Sequence, residues 1–447
     1  MFQRFTYILL IIFSFSVISK AQSQHEGHDH LNSTQEAQAQ SAKDSANMSD
    51  TAQDHNVAEM NHGPEAGAEH EGGHEGEHEV FDPASTAIHH ISDANVYSIL
   101  DWIRIPLPMI LYAPGKGWST FMSNEFMPGH HEDGSMAYNG YVMNHGSVHM
   151  IVDPSFPSGL QPVQGFTHKD EQVDGKTKQV KYAVVNNQEY KIDERSTLDG
   201  GILGGGITSF YDFSITKNVL AMIIVCILIF WMLRQVVKRY KTHPDRAPKG
   251  IAALIEPIFL FVRDEVAIPF IGKHKYKKYF PMLLSIFFFI LGLNLFGQVP
   301  FFGSTNVTGN ITVTMILGIL VFIIVNINGN KNYWQHILWM PGVPTGVKPM
   351  LTVIEIASLF IKPLTLMLRL AGNISAGHVG ILSFIGLIFV FGQSGANMMG
   401  AGLGTVMAVP LTLFMMAIEL LVAFLQAYVF TLLAASYIGA ATEEHHH

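Results

Sequence analysis

Leu366-Met367-Leu368-Arg369-Leu370-Ala371-Gly372-Asn373 sets a guanidinium in the middle of a long apolar stretch. That group cannot shed its proton at any ordinary pH. Holding it at membrane depth costs at least ~3 kcal/mol on insertion scales. A chain keeps such a group only where it pairs with something or acts on something. The arginine therefore reads as the centre of an ion path through a membrane protein.

The composition agrees with a membrane setting. Of 447 residues, 48% are hydrophobic and only 14% charged, and the mean hydropathy is positive. That balance is wrong for a soluble enzyme of this size and right for a membrane protein carrying a soluble part. The formal net charge of -9 leaves no basic footprint, so no nucleic-acid partner is expected. Cys226, the single cysteine, lies inside an apolar run and reads as a packing residue, not as part of a disulfide framework.

The start of the chain reads as a secretory signal peptide over 1–21. Arg4 gives the positive start, 7–18 the apolar core, and Ser19-Lys20-Ala21 the small-x-small end. An uncleaved anchor is the other reading, but the apolar core is short for a span. Residues 22–79 are rich in His, Glu, Gln, Ala, Gly and Ser, and are expected to be a disordered tail. Histidines 25, 28, 30, 55, 62, 70, 74 and 78 invite a metal reading, yet no spacing resembles a closed tetrahedral site. No metal and no cofactor are expected.

Residues 80–212 are mixed and polar, and read as a small β-containing extracytoplasmic region. Alternation over 180–185 and 188–192, around Asn186-Asn187, predicts a β-hairpin. A second strand pair is expected over 141–152, turning at Asn144-His145-Gly146. The Gly-rich run 200–206 has no following Lys-Ser/Thr, so it reads as a linker and not as a phosphate loop.

Residues 213–441 then form an all-α polytopic membrane domain, with 442–447 as a C-terminal tail. A first span over 219–233 is followed by Arg234, Lys238, Arg239, Lys241, Arg246 and Lys249, which mark the cytoplasmic side. The stretch 251–270 is interrupted by Glu256, Pro257, Arg263, Asp264 and Glu265, and reads as an amphipathic helix on the membrane surface. Spans are expected over 280–299 and 311–327. Two long segments, 350–391 and 401–441, exceed the ~20 residues of a perpendicular span and must tilt, curve or break. They form a hairpin around Gly392-Gln393-Ser394-Gly395. Five transmembrane helices from an outside start put the C-terminus in the cytoplasm.

A helical wheel organises the polar residues of that hairpin. Glu355, Lys362 and Arg369 are spaced by seven and share one stripe, with Asn373 four beyond. On the partner helix Glu419, Gln426 and Tyr437 share another. Such stripes are too costly for lipid and must face protein or water. His378 lies nine residues beyond Arg369, half a turn out of phase and ~13 Å along the axis. It sits toward the outer end of its helix, as Glu419 does on the next, and a His and a Glu near one level can pass a proton. A structural Glu355–Lys362 ion pair near the cytoplasmic end is an alternative for those two. Small residues, Ala371, Gly372, Ser375, Ala376 and Gly377 against Ala434, Ala435 and Ser436, suit close helix approach or a surface along which another helix slides.

Leu368-Arg369-Leu370-Ala371-Gly372-Asn373-Ile374-Ser375-Ala376-Gly377-His378 resembles the arginine helix of subunit a of F-type ATP synthase. Glu419 with Gln426-Ala427-Tyr428-Val429-Phe430-Thr431 and Tyr437 resembles that family's last helix, and Asn294-Leu295-Phe296-Gly297-Gln298-Val299-Pro300 the end of an earlier outward span. The likeness covers about 215–441. It implies that Arg369 faces a ring of c subunits and stops protons short-circuiting between two half-channels. It puts Asn373, His378, Glu419 and Gln426 on the outer half-channel and Glu355 on the cytoplasmic exit, with Lys362 nearby. Many bacterial members carry a carboxylate where His378 stands and a histidine where Glu419 stands; the exchange keeps one acid and one imidazole in the path.

The implied function is a non-catalytic, proton-translocating stator subunit whose two half-channels load and unload protons on the c-ring, with no ATP site of its own. Its partners would be the c-subunit ring, the subunit b stator, the rest of the F-type ATP synthase and membrane lipid, in a bacterial inner membrane. A sodium-translocating version is the nearest alternative. A metal-ion transporter using the His-rich tail would need His, Asp or Glu pairs at i, i+4 inside the spans, and the sequence has none. A structural scaffold without transport leaves Arg369, Glu419 and Gln426 unexplained.

Overall fold

The computed structural model describes residues 93–443, except 100–102, 130–132, 158, 174–175, 194–208, 244–246, 300–304 and 393–396. The expected signal peptide, the His-rich tail, the Gly-rich linker 200–206, most of the 392–395 turn and most of the C-terminal tail lie outside the described residues.

The N-terminal region is β-structured. Strands β1 (Val96–Ile99) and β2 (Ile103–Pro106) pair antiparallel. Strands β3 (Pro108–Ala113), β4 (Gly117–Met122) and β11 (Tyr211–Asp212) form a sheet of order β11-β3-β4. Strands β5 (Met136–Ala137), β8 (Gln161–Val173), β9 (Lys176–Val185) and β10 (Gln188–Lys191) form another, of order β10-β9-β8-β5. Strands β6 (Tyr141–Asn144) and β7 (Ser147–Met150) make the hairpin expected over 141–152. Asn186 and Asn187, at φ 52° and 60°, close the β9–β10 hairpin. Both angles are left-handed, which asparagine tolerates better than most residues.

The β11-β3-β4 sheet has two unlike faces. Met109, Leu111 and Ala113 point inward and pack with Phe126 and Tyr141 in one apolar cluster. The outer face is read off the register: Tyr211, Tyr112 and Trp118 lie in one row, and Ile110 and Thr120 in the next. The strand then runs straight into the first long helix, α1 (Lys217–Thr242). Thr216 caps that helix by accepting from the Val219 N–H at 3.5 Å. The Lys217 and Asn218 N–H groups donate back to the Ala94 carbonyl at 2.9 Å and to Asp93 Oδ1 at 3.2 Å. The β unit is thus tied to the start of α1 by backbone bonds.

The helical region holds α1, α2 (Ile251–Phe261), α3 (Ile268–Ile271), α4 (Tyr276–Gln298), α5 (Ile311–Ile327), α6 (Lys331–Leu338), α7 (Lys348–Phe391) and α8 (Met398–Thr442). Four of these, α1, α4, α7 and α8, are long and apolar enough to cross a membrane, and α5 with α6, bent by 107°, raises the count to five. Within the most apolar stretch of each, 83% of α4 is buried in this chain, against 11% of α7 and 17% of α8. The core therefore forms around α4, and the long hairpin is left largely open. The chain is a polytopic helical membrane protein with a β-containing N-terminal part.

The 251–270 stretch departs from a single surface helix. A π-helical turn, Val262–Ala267, separates α2 from α3. Val262, Val266 and Ala267 are fully buried in the main apolar cluster, while Arg263 pairs with Asp264 on the outside at 2.7 Å. One face of the stretch packs against α4 and α8, while Leu254, Leu260 and Phe270 are exposed on the other.

One end of the bundle collects basic residues and the C-terminal end of α8. Lys275 Nζ donates to the Thr442 carbonyl at 2.7 Å, and the Asn330 N–H to the Ala441 carbonyl at 2.9 Å. Lys278 Nζ reaches Asn328 Oδ1 at 2.9 Å.

Candidate ion path

Arg369 sits midway along α7 with its side chain on the exposed surface of this chain. Leu368, Gly372 and Asn373 are exposed beside it, and Leu366, Leu370, Ala371 and Ile374 pack inward on the other face. Among the described residues no carboxylate forms an ion pair with it. Tyr437 of α8 lies within electrostatic reach of the guanidinium.

Seven residues toward the basic end, Lys362 places Nζ over the Tyr437 ring, 5.5 Å from its centroid. Glu355, a further seven back, forms no ion pair with Lys362 and lies within electrostatic reach of Tyr333 on α6. The alternative reading of a Glu355–Lys362 ion pair is not met; Lys362 instead makes a lysine–aromatic contact with Tyr437 of the facing helix. Lys362 and Tyr437 line a cavity of about 30 Å³ with Asn326, Tyr333 and Pro363. That volume admits one or two water molecules.

A second polar group lies on the other side of Arg369. His378 Nδ1 is 3.0 Å from Glu419 Oε1, with the side chains 14% and 5% exposed. Among the described residues that oxygen has no assigned hydrogen-bond partner. Gly377 makes the approach possible: a Cβ at that position would come within 2.6 Å of Glu419 Oε1. Glu419 and Gln426 both belong to the buried face of α8, with Ala423, Ala427 and Phe430. Tyr437 is half-buried further along the helix.

Sequence reasoning missed the polar collar around this pair. Gln298 Nε2 donates to the Glu419 backbone carbonyl at 2.7 Å. Asn294 Nδ2 donates to the Ala423 carbonyl at 3.2 Å, and Thr308 Oγ1 to Asn294 Oδ1 at 2.6 Å. Asn306 Nδ2 donates to Ser375 Oγ at 3.4 Å. Thr305, Asn306 and Thr308 are all buried. The available signal was the polar run Thr305-Asn306-Val307-Thr308 just beyond an apolar span, which is an unusual thing to bury without a partner. A Cβ at Gly297 would meet the Thr305 carbonyl at 2.5 Å and lie 3.8 Å from His378 Nε2, so the end of α4 is drawn against both.

The arrangement is that of a helical membrane protein with an arginine at an open face, without a carboxylate partner among the described residues, and with part-buried polar groups on one side of it and buried ones on the other. Residues 219–439 match the family model for the ATP synthase A chain, and residues 86–158 match a domain family of unknown function. The chain is 36% identical over 259 residues to ATP synthase subunit a of Myxococcus xanthus, covering 57% of this chain and 81% of that one. It is 38% identical over 251 residues to ATP synthase subunit a of Chloroherpeton thalassium, covering 53% and 69%. Against ATP synthase subunit a of Chlorobium phaeobacteroides strain BS1 it is 33% identical over 275 residues, covering 59% and 74%. The chain belongs to the ATP synthase subunit a family.

Proposed function

We propose that this chain is the ion-translocating stator subunit of an F-type ATP synthase, carrying two half-channels that load and unload protons on a ring of c subunits. Family membership supports the general stator role in the membrane sector. The observation that carries the finer reading is Arg369, a permanent cation on an open helix face with no carboxylate partner among the described residues.

In this reading a proton enters from the outer side by way of His378 and Glu419, with Asn373 and Gln426 along the route. It neutralises a carboxylate on a c subunit, and that helix then turns to face lipid. After nearly a full rotation the carboxylate meets the inner half-channel, and the proton leaves past Tyr437, Lys362 and Glu355. Arg369 favours the ionised carboxylate as it passes and carries no proton itself. Each charge moved through 100 mV yields ~2.3 kcal/mol, so several are used per ATP. The subunit b stator would hold this chain still against the ring. The basic end of the bundle suits the cytoplasmic side of a bacterial inner membrane, which would put the C-terminus inside and the β unit in the periplasm.

The test is Arg369→Ala in inverted vesicles carrying the whole synthase. ATP-driven proton pumping is expected to vanish while the complex still assembles. Unchanged pumping would rule the mechanism out.

A further inference from the structure

The outer face of the β11-β3-β4 sheet is built for a surface it does not meet within the described residues. Tyr112 stacks on Tyr211 with ring centroids 6.3 Å apart, and meets Trp118 at a tilt with centroids 5.0 Å apart. Trp118 continues to Phe213 at 5.7 Å. Trp118 is nevertheless 64% exposed, and Met122 on the same face 40%. Thr120 is the polar side chain of that face, and no charged residue stands on it. A soluble sheet normally carries a polar outer face where it meets water, and an apolar one marks an interaction surface.

The position of this face identifies the occupant. The strand through Tyr211 and Phe213 continues directly to α1, whose first residue is Lys217. Ile215, next in the alternation, already packs against the apolar cluster of the helical bundle. The Lys217 and Asn218 backbone bonds to Ala94 and Asp93 prevent the unit from swinging freely away from the helix. Tryptophan and tyrosine with few charges is the composition that settles at the boundary of headgroups and acyl chains, since each ring has an apolar body and a polar edge.

We propose that this sheet face beds on the headgroup layer of the bilayer that the chain itself crosses, so that the β unit is a membrane-surface module. The occupant is phospholipid, with Trp118, Tyr112, Tyr211 and Phe213 as the embedded rings. The strands then run close to the membrane plane, because otherwise the rows of the face reach different depths.

Replacing the single native cysteine (Cys226→Ala) leaves the full chain free to carry one label. Thr120→Cys puts an environment-sensitive fluorophore at the centre of the face, and Gln188→Cys puts it on the exposed β10 strand as the reference. The chain is reconstituted in nanodiscs whose phospholipid is spin-labelled near the top of the acyl chain. Blue-shifted emission with strong quenching at position 120, and neither at 188, is the expected result. Water-like emission at 120 overturns the proposal. So does a blue shift without lipid quenching, because a protein surface would then cover the face. Should the label disturb folding, brominated phospholipid should quench the tryptophan emission of the unlabelled chain more than that of Trp118→Leu. Equal quenching of the two overturns the proposal.

Discussion

His378 Nδ1 stands 3.0 Å from Glu419 Oε1 across the contact of α7 and α8, with both side chains largely shielded from water. Burial of the two side chains from bulk water strengthens their coupling.

Gly377→Ala tests the approach itself. The new methyl would meet Glu419 Oε1 at 2.6 Å and Cγ at 2.9 Å, so the carboxylate must move. Overpacking of this kind costs about 1–3 kcal/mol. Passive proton flux through vesicles stripped of the soluble sector is expected to fall, with the assembled complex melting at a lower temperature. Flux at the original level would show that the pair does not carry protons.

His378→Gln and Glu419→Gln should each lower ATP-driven pumping, by about a hundredfold or more where a proton-transfer contribution of the usual size is removed. The double variant should be little worse than the poorer single one, because residues in contact couple by about 0.5–3 kcal/mol and their losses do not add. Pumping rates for the three variants decide this, and fully additive losses would separate the two residues.

Asn294→Ala should weaken the fold near the pair. It removes the donor to the Ala423 carbonyl and the acceptor of the Thr308 hydroxyl, both in buried surroundings. A buried group stripped of its partner costs about 1–3 kcal/mol. Thermal unfolding of the detergent-solubilised complex is expected to shift downward; an unshifted midpoint would show that water replaces the amide.

The β unit should lose stability in acid. Burial, reinforced by the Lys181 charge, holds the His168 imidazole below its ordinary value of 6.5. The unfolded chain then binds the proton more readily than the folded one, so stability falls as pH drops below that value. Glu171, held low by Lys191 and Tyr182, and Glu189, held low by Lys169, contribute stability that is present above their ordinary value of 4.5 and lost as pH falls through their folded range. The protection factors of β8 and β9 amides in the full chain, corrected for the intrinsic pH dependence of exchange, should therefore fall as pH drops from about 7.5 to 5.5, the range of histidine titration. His168→Gln should flatten that change, and an equal loss of protection in the variant would assign it elsewhere.

Much of the architecture was readable because hydrophobic periodicity and turn chemistry are local. The apolar runs around Arg369 and Glu419 announce membrane helices whatever their neighbours do. Asn186-Asn187 and His145-Gly146 announce hairpins because their residues accept left-handed backbone, with φ from 46° to 71° in the structure. The π-helical turn that divides the 251–270 stretch was not readable, since an amphipathic pattern does not encode where a helix widens. The fate of Lys362 was likewise open, because a carboxylate seven residues away on its own helix competes with an aromatic ring brought in from α8.

By itself, then, the sequence determined that a permanently charged guanidinium lies within an apolar helix, and that acids, an imidazole and amides recur on the faces of that helix and its partner. Those are properties of residue type and spacing. Only the tertiary structure decided that Arg369 stands at an open face with no carboxylate partner among the described residues, that His378 meets Glu419 over Gly377, and that Asn294, Gln298, Asn306 and Thr308 gather around them. Those contacts join residues far apart along the chain, and their geometry follows from how closely the helices approach, which no local pattern encodes.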